Sequence, residues 1–341
     1  MDNGTVWLIG GGIVVGLLFG WVMQRSRFCM VAATSNMILV RDYRHAQAFL
    51  AAWAVAIAGT SLLESTQLVL TADAQYRNAS VDWLGATAGG LLFGFGAVLA
   101  GGCATRTLIN SAQGHIGGLL ALITMIMFSG ISFYGALEPV RIELFRVTAV
   151  ELTAADSGIA TLLKIEPWVV GTTLAIICFI LMRFLGSVAG NRVLILYGGA
   201  IGLLVVLGWF ITGYLAQDAF IEAAPKSAII TGPLARLHYS LATGAQFPFT
   251  FGTTFVIAMF SGAVISALAF GEFRWTRPDP ARIPHYLIGG ALMGVGAITA
   301  GGCNIGQGVT GVSTLSITSL LAATAIFAGA TAGIKWWERH V

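Results

Sequence analysis

The residues here whose type and placement suggest chemistry are four cysteines, Cys29, Cys103, Cys178 and Cys303. A thiol can serve as nucleophile, metal ligand, redox partner or weak hydrogen-bond donor. No two of them form a Cys-x-x-Cys pair, which gives a zinc or thioredoxin-type centre little support, and neither a metal nor a cofactor is expected. Two of the four close a repeated phrase. Residues 89–103 read GGLLFGFGAVLAGGC and residues 289–303 read GGALMGVGAITAGGC, identical at ten of 15 positions with a constant offset of 200. A shorter echo lies upstream: Gly16-Leu17-Leu18-Phe19-Gly20 matches Gly90–Gly94, and Cys29 follows Gly20 by nine residues as Cys103 follows Gly94. A third echo, Gly199–Trp209, is weak and places Gln217 where a cysteine would stand. Cys178, within Ala-Ile-Ile-Cys-Phe-Ile, reads as a plain helix residue with a structural role.

Paired glycines after an apolar helix favour a stop, because glycine accepts positive φ without steric cost. Gly101 and Gly102 in one copy, and Gly301 and Gly302 in the other, are expected to break their helices. A polar stretch follows each break, Ala104-Thr105-Arg106-Thr107 and Asn304-Ile305-Gly306-Gln307-Gly308. If a short helix restarts there, its free N–H groups face the break, and helix N-termini attract anions. Cys29, Cys103 and Cys303 are therefore the candidates for a solute path, with Arg106, Asn304 and Gln307 as supporting polar groups. Glycines at this spacing also serve close helix packing, and cysteine is a common small apolar residue in membranes. Arg106 divides evenly between anchoring and anion contact. Arg25 and Arg27 read as headgroup anchors, and His115, His238 and His285 as interfacial residues at helix ends.

These breaks need helices inside a membrane to position them. The chain is 57% apolar and 10% charged; a soluble domain carries about 25% charged residues, so this one cannot cover a water-facing surface. Val6–Met23, Ala46–Leu63, Trp83–Thr105, Ile116–Leu137 and Val193–Gln217 are each free of Asp, Glu, Lys and Arg, and a crossing needs roughly 20 apolar residues. Trp168–Leu185 adds a sixth, Leu237–Gly271 a seventh helix plus a loop, and Tyr286–Ile334 two crossings with a break. The expected fold is an all-α integral membrane protein of about nine transmembrane helices, one transmembrane domain over 1–341 with pseudo-repeat halves of about 1–165 and 166–341. The first run lacks a basic leader and a cleavage site, and reads as a retained helix. Three of the four cysteines lie in or beside such segments, so a structural disulfide is not expected.

With the amino terminus outside, the inner segments hold 12 basic and four acidic residues and the outer ones six basic and 11 acidic. Short basic loops stay cytoplasmic, so the amino terminus is expected outside, the carboxyl terminus inside, and Glu64–Asp82, Glu138–Glu166 and Asp218–Arg236 outside. The helices before Cys103 and Cys303 would then run in opposite directions, an inverted-topology repeat of the kind that places solute sites where helices break.

Arg-Ser-Arg-Phe-Cys at residues 25–29 together with two GxGxxxxGGC phrases resembles the YeeE/YedE family of sulfur-transport membrane proteins. The resemblance spans nearly the whole chain and leaves Cys178 outside its pattern. It implies uptake of thiosulfate across the bacterial inner membrane, about nine helices with short re-entrant ones, and a pore where Cys29, Cys103 and Cys303 relay the anion through S–H hydrogen bonds. It also implies a soluble TusA-type sulfur carrier as a cytoplasmic partner; no nucleic-acid partner is expected. Two other readings stay open: a permease for a selenium compound, sulfite or sulfide, and a membrane sulfur-transfer enzyme. The bland electrostatics agree with the first reading, since a doubly charged anion in a cage of arginines would enter and not leave.

Overall fold

The computed structural model describes residues 3–152, 156–217, 224–247 and 249–340. In hydrocarbon a backbone must satisfy its own hydrogen bonds, and these residues are accordingly mostly helical. In chain order the helices are α1 (Asn3–Ser26), α2 (Met30–Ser35), α3 (Arg44–Ser65), α4 (Trp83–Leu99), α5 (Ala104–Ala112), α6 (Ile116–Tyr134), α7 (Glu138–Thr148), α8 (Ile159–Leu163), α9 (Pro167–Phe184), α10 (Arg192–Phe210), α11 (Thr231–Thr243), α12 (Phe251–Ala269), α13 (Ile283–Thr299) and α14 (Ile317–His340). π-helical turns extend α2 over Asn36–Val40 and α10 over Ile211–Leu215, and another forms Gly306–Gly311. The one sheet among the described residues pairs β1 (Ser80–Val81) with β2 (Val150–Glu151), antiparallel. Among the described residues, eight helical segments are long and apolar enough to cross a membrane. Helix α13, repeat partner of α4, has 17 residues.

The helix ends fall on two faces. One is basic: Arg25 pairs with Glu272 at 3.0 Å, Arg274 N–H donates to Gln113 O, Asn191 donates to Arg44 O, and His285 packs edge-on to Trp337. The other carries the long connections. There Arg77, 2% exposed, holds Asp156 at 2.9 Å and Glu64 at 2.5 Å and also donates to Thr71 and Thr161. This buried cluster joins the α3–α4 and α7–α9 connections. Ser157 and Ser316 touch at 3.3 Å, Ser316 donates to Tyr76 O, and Ile317 N–H donates to Ser157 O, tying both connections to the start of α14.

The glycine phrases set the packing. A Cβ on Gly89 would fall 2.5 Å from Ala300 N, and one on Gly289 the same 2.5 Å from Ala100 N. Gly96 meets Gly289 O as Gly296 meets Gly89 O. The start of each helix thus lies against the end of the other, so α4 and α13 are antiparallel at backbone contact. Within a bilayer association rests on such close van der Waals packing, because lipid is as apolar as leucine. The upstream echo is equally concrete: Gly16 and Gly20 lie on Phe255 O and Met259 O of α12, as Gly90 and Gly94 lie on Ala322 O and Ile326 O of α14.

Two expectations are corrected. Leu237–Gly271 is not one helix and a loop: α11 begins earlier, at Thr231, and Gly244 in a left-handed turn separates it from α12. His238 sits within α11, facing Gly130 of α6, and is not at a helix end. The segment Glu138–Glu166 holds α7, β2 and α8. The weak third echo has partial substance: Gly198 and Gly202 of α10 lie on Ala48 O and Ala52 O of α3, but α10 continues into its π turn without breaking. Residues 218–223, with the acidic Asp218 and Glu222, lie outside the described residues.

Candidate functional site

The cysteine sites follow from how three helices stop. At the end of α4, Gly101 takes φ +73°, its N–H donating to Val98 O and that of Gly102 to Ala97 O. At the end of α13, Gly301 takes the same φ of +73°, with the matching bonds to Ile298 O and Ala297 O. Both are Schellman stops with glycine in the left-handed slot. At the end of α1 the slot is filled by Arg27, φ +51°, whose N–H donates to Met23 O. A non-glycine residue there costs about 1 kcal/mol, so the same turn is made at a cost where glycine is missing. In all three the cysteine comes two residues later and opens a short helical segment. Cys29 O accepts from Ala33 N–H at 2.9 Å, Cys103 O from Thr107 N–H at 2.8 Å and Cys303 O from Gln307 N–H at 2.7 Å.

The thiols are buried in one shared core, 3%, 1% and 0% exposed for Cys29, Cys103 and Cys303. Cys29 and Cys103 meet, Sγ to Sγ, at 3.6 Å. The Cys303 sulfur lies against Gly306, 4.0 Å from where its Cβ would stand. The free main-chain N–H groups at such helix starts suit an anion without a full positive charge. Cys178 is not part of this core and opens no helix, buried within α9.

The second hairpin is fixed from several sides. Trp53 donates to Gly308 O, Thr310 to Ala228 O, Gln307 Nε2 to Ala300 O, and Trp209 to Ser313. Side chains also explain the second glycine of each pair. A Cβ on Gly102 would lie 2.7 Å from Arg106 Cγ, and one on Gly302 would lie 3.1 Å from Gln307 Cγ. Arg106 Nη1, Thr105 Oγ1, Gln307 Oε1 and both amide atoms of Asn304 are buried without a hydrogen-bond partner.

Cavities reach the two glycine breaks from opposite faces. On the face of the long connections, a cavity of about 480 Å³ runs down to Ala300, Gly301, Gly302 and Gln307. Arg141, Lys226 and Arg236 line it, with Asp82 as its carboxylate, and Asp82 is already engaged in capping α4 through Gly85 N–H. Burial, then the charge of Arg236, hold the Lys226 ammonium below the ordinary lysine range. On the basic face, a cavity of about 370 Å³ reaches Ala100 and Gly101 beside His115, Arg277 and Arg282.

All ten sequence candidates thus fall at the breaks: the three cysteines, the four glycines, Arg106, Asn304 and Gln307. Sequence reasoning missed the lining cations Arg141, Lys226 and Arg236, and also Tyr76 and Thr231. Tyr76 is buried, edge-on to Trp209, its hydroxyl beside Gly306. Thr231 begins α11 next to Ile230; Thr231-Gly232-Pro233 is the helix-start signal that could have found it.

Comparison with known proteins adds the lineage. Residues 25–332 match the family described as "Sulphur transport". The chain is 31% identical to the thiosulfate transporter TsuA of Escherichia coli (strain K12), over 89% of this chain and 87% of that protein. It is 29% identical to the thiosulfate transporter TsuA of Spirochaeta thermophila, over 92% and 94%. A probable transporter, YedE of Escherichia coli (strain K12), matches at 31% over 32% of this chain and 25% of its own length.

Proposed function

The chain belongs to the Sulphur transport family, and from that premise we infer that it is a permease for thiosulfate or a closely related sulfur oxyanion, moved past Cys303 and then the Cys29–Cys103 pair. The two relatives matched over most of their length are named thiosulfate transporters. The observation that carries the reading is the repeated stop: three left-handed turns, each two residues before a buried cysteine that opens a helical segment, all in one core.

The physical case concerns desolvation. A bare dianion in hydrocarbon would be prohibitively costly. A file of thiol donors and free helix N–H groups replaces its water in small steps, favourable enough to enter and weak enough to leave. Arg141, Lys226 and Arg236 would raise the local anion concentration at the mouth without following it inward. The two antiparallel hairpins would form an inverted repeat about this passage, with halves of about 1–165 and 166–341. The charge asymmetry orients the long connections and the amino terminus to the periplasm, and the basic face and carboxyl terminus to the cytoplasm, across the bacterial inner membrane. A soluble TusA-type carrier would meet the ion at the basic face.

Counterflow into proteoliposomes preloaded with thiosulfate tests the cargo directly. Labelled thiosulfate should exchange, and unlabelled thiosulfate should compete better than sulfite, sulfide or selenite. Exchange of one of those ions in preference to thiosulfate would refute the assignment.

A further inference from the structure

Asn304 is 0% exposed, and neither its Nδ2 nor its Oδ1 has a hydrogen-bond partner. A buried primary amide with every bond unmade is expensive, and native structures rarely keep one without a use. Its position narrows the use. It directly follows Cys303, in the turn between that thiol and the π-helical segment that starts at Gly306. Gln307, one turn on, commits its Nε2 to Ala300 O and leaves its Oε1 without a partner. The equivalent position of the other hairpin is Ala104, which offers no such group. Asn304 is absent from the lining of the outer cavity, which ends at Gly301, Gly302 and Gln307. Cys303 is absent from that lining too, so the thiol and the amide, both 0% exposed, are buried together next to residues that line the cavity.

We propose that the Asn304 carboxamide donates a hydrogen bond to the sulfonate-type oxygens of the anion held at Cys303, and so selects oxyanions over oxygen-free sulfur anions. The inference rests on the permease reading and adds a specificity residue to it. The ion has two chemistries, a soft terminal sulfur and three hard oxygens. A thiol is a weak, soft donor, whereas an amide N–H is a strong donor to oxygen. One group of each kind, adjacent in sequence at one break, reads both ends of the ion. An apolar side chain of similar size in place of Asn304 removes the unmade bonds as well as the donor.

The test is Asn304→Leu, Asn304→Ala and Asn304→Asp in proteoliposomes, with labelled thiosulfate uptake and its competition by hydrosulfide, beside thermal unfolding of each purified variant. Asn304→Leu should raise the thiosulfate KM about tenfold or more, as expected for loss of one hydrogen bond to a charged group. It should also narrow the preference for thiosulfate over hydrosulfide, while unfolding at the same or a higher temperature than the parent. Asn304→Asp puts a carboxylate against the anion and should abolish uptake. A purely structural amide gives the reverse pattern: lower unfolding temperature, unchanged KM and unchanged ion preference. That pattern overturns the inference, as does unchanged uptake by a stable Asn304→Leu. Failure of the parent protein to carry thiosulfate would instead refute the permease reading itself.

Discussion

Single residues decide what the passage can do, and the closest pair is Cys29 and Cys103, sulfurs 3.6 Å apart on two different helix starts. Copper–phenanthroline, with dioxygen as oxidant, is expected to join them, each thiol giving up one proton and one electron. Peptide mass mapping should find that link, with uptake lost until a reductant restores it. A bond from Cys303 to either partner would contradict the arrangement. The proposed role in anion capture of the cavity that reaches Gly301 is tested through Lys226. Burial first and Arg236 second lower its pKa, so its positive charge is lost at a lower pH than that of an exposed lysine. Thiosulfate KM should therefore rise as the medium turns alkaline, before ordinary lysines titrate, and Lys226→Arg should flatten that rise, because guanidinium stays charged. A parallel rise in both proteins would remove Lys226 from anion capture.

At the scale of elements, glycine brings helices into backbone contact, and its positions have unequal consequences. A Cβ on Gly94 would stand 2.1 Å from Ile326 O, against backbone that cannot yield, whereas one on Gly10 meets nothing within 4 Å. Gly94→Val should cost about 1–3 kcal/mol through overpacking between α4 and α14. Gly10→Ala should be neutral or stabilise by up to about 1 kcal/mol through its gain in helix propensity. Thermal unfolding in detergent measures both, and equal effects would mean that the glycine phrases are not packing surfaces. This scale also shows what the sequence could convey. The 200-residue offset and the Gly-Gly-Cys triplets are legible because close approach and left-handed turns demand glycine itself. The break at Arg27 is not legible, because a strained arginine leaves no compositional trace. The start of α11 is misplaced when the charge-free stretch from Leu237 onward is read as the helix, although Arg236 lies inside the helix and the signal at Thr231-Gly232-Pro233 stands upstream. Lys226 and Arg141 lie far from the cysteines in sequence, and their convergence on Gly301 depends on tertiary packing that no local pattern encodes.

At the scale of the whole molecule, one cavity reaches Gly301 and Gly302 and another reaches Ala100 and Gly101, and the proposed orientation turns the first outward. Cysteine at Val140, 66% exposed beside the outer cavity, should react with a membrane-impermeant maleimide added to intact cells; cysteine at Trp275, 71% exposed on the basic face, should react only after lysis. The four native thiols are buried and leave a low background. The opposite labelling would invert the orientation. The shared core of Cys29, Cys103 and Cys303, with Cys178 apart from it, makes a sharper demand. Initial rates of labelled thiosulfate uptake should be measured in proteoliposomes for Cys29→Ala, Cys103→Ala, Cys303→Ala and Cys178→Ala at matched protein amounts. The first three should fall to the rate of empty vesicles while Cys178→Ala matches the parent; parental rates in all four would mean that the ion does not travel past these thiols.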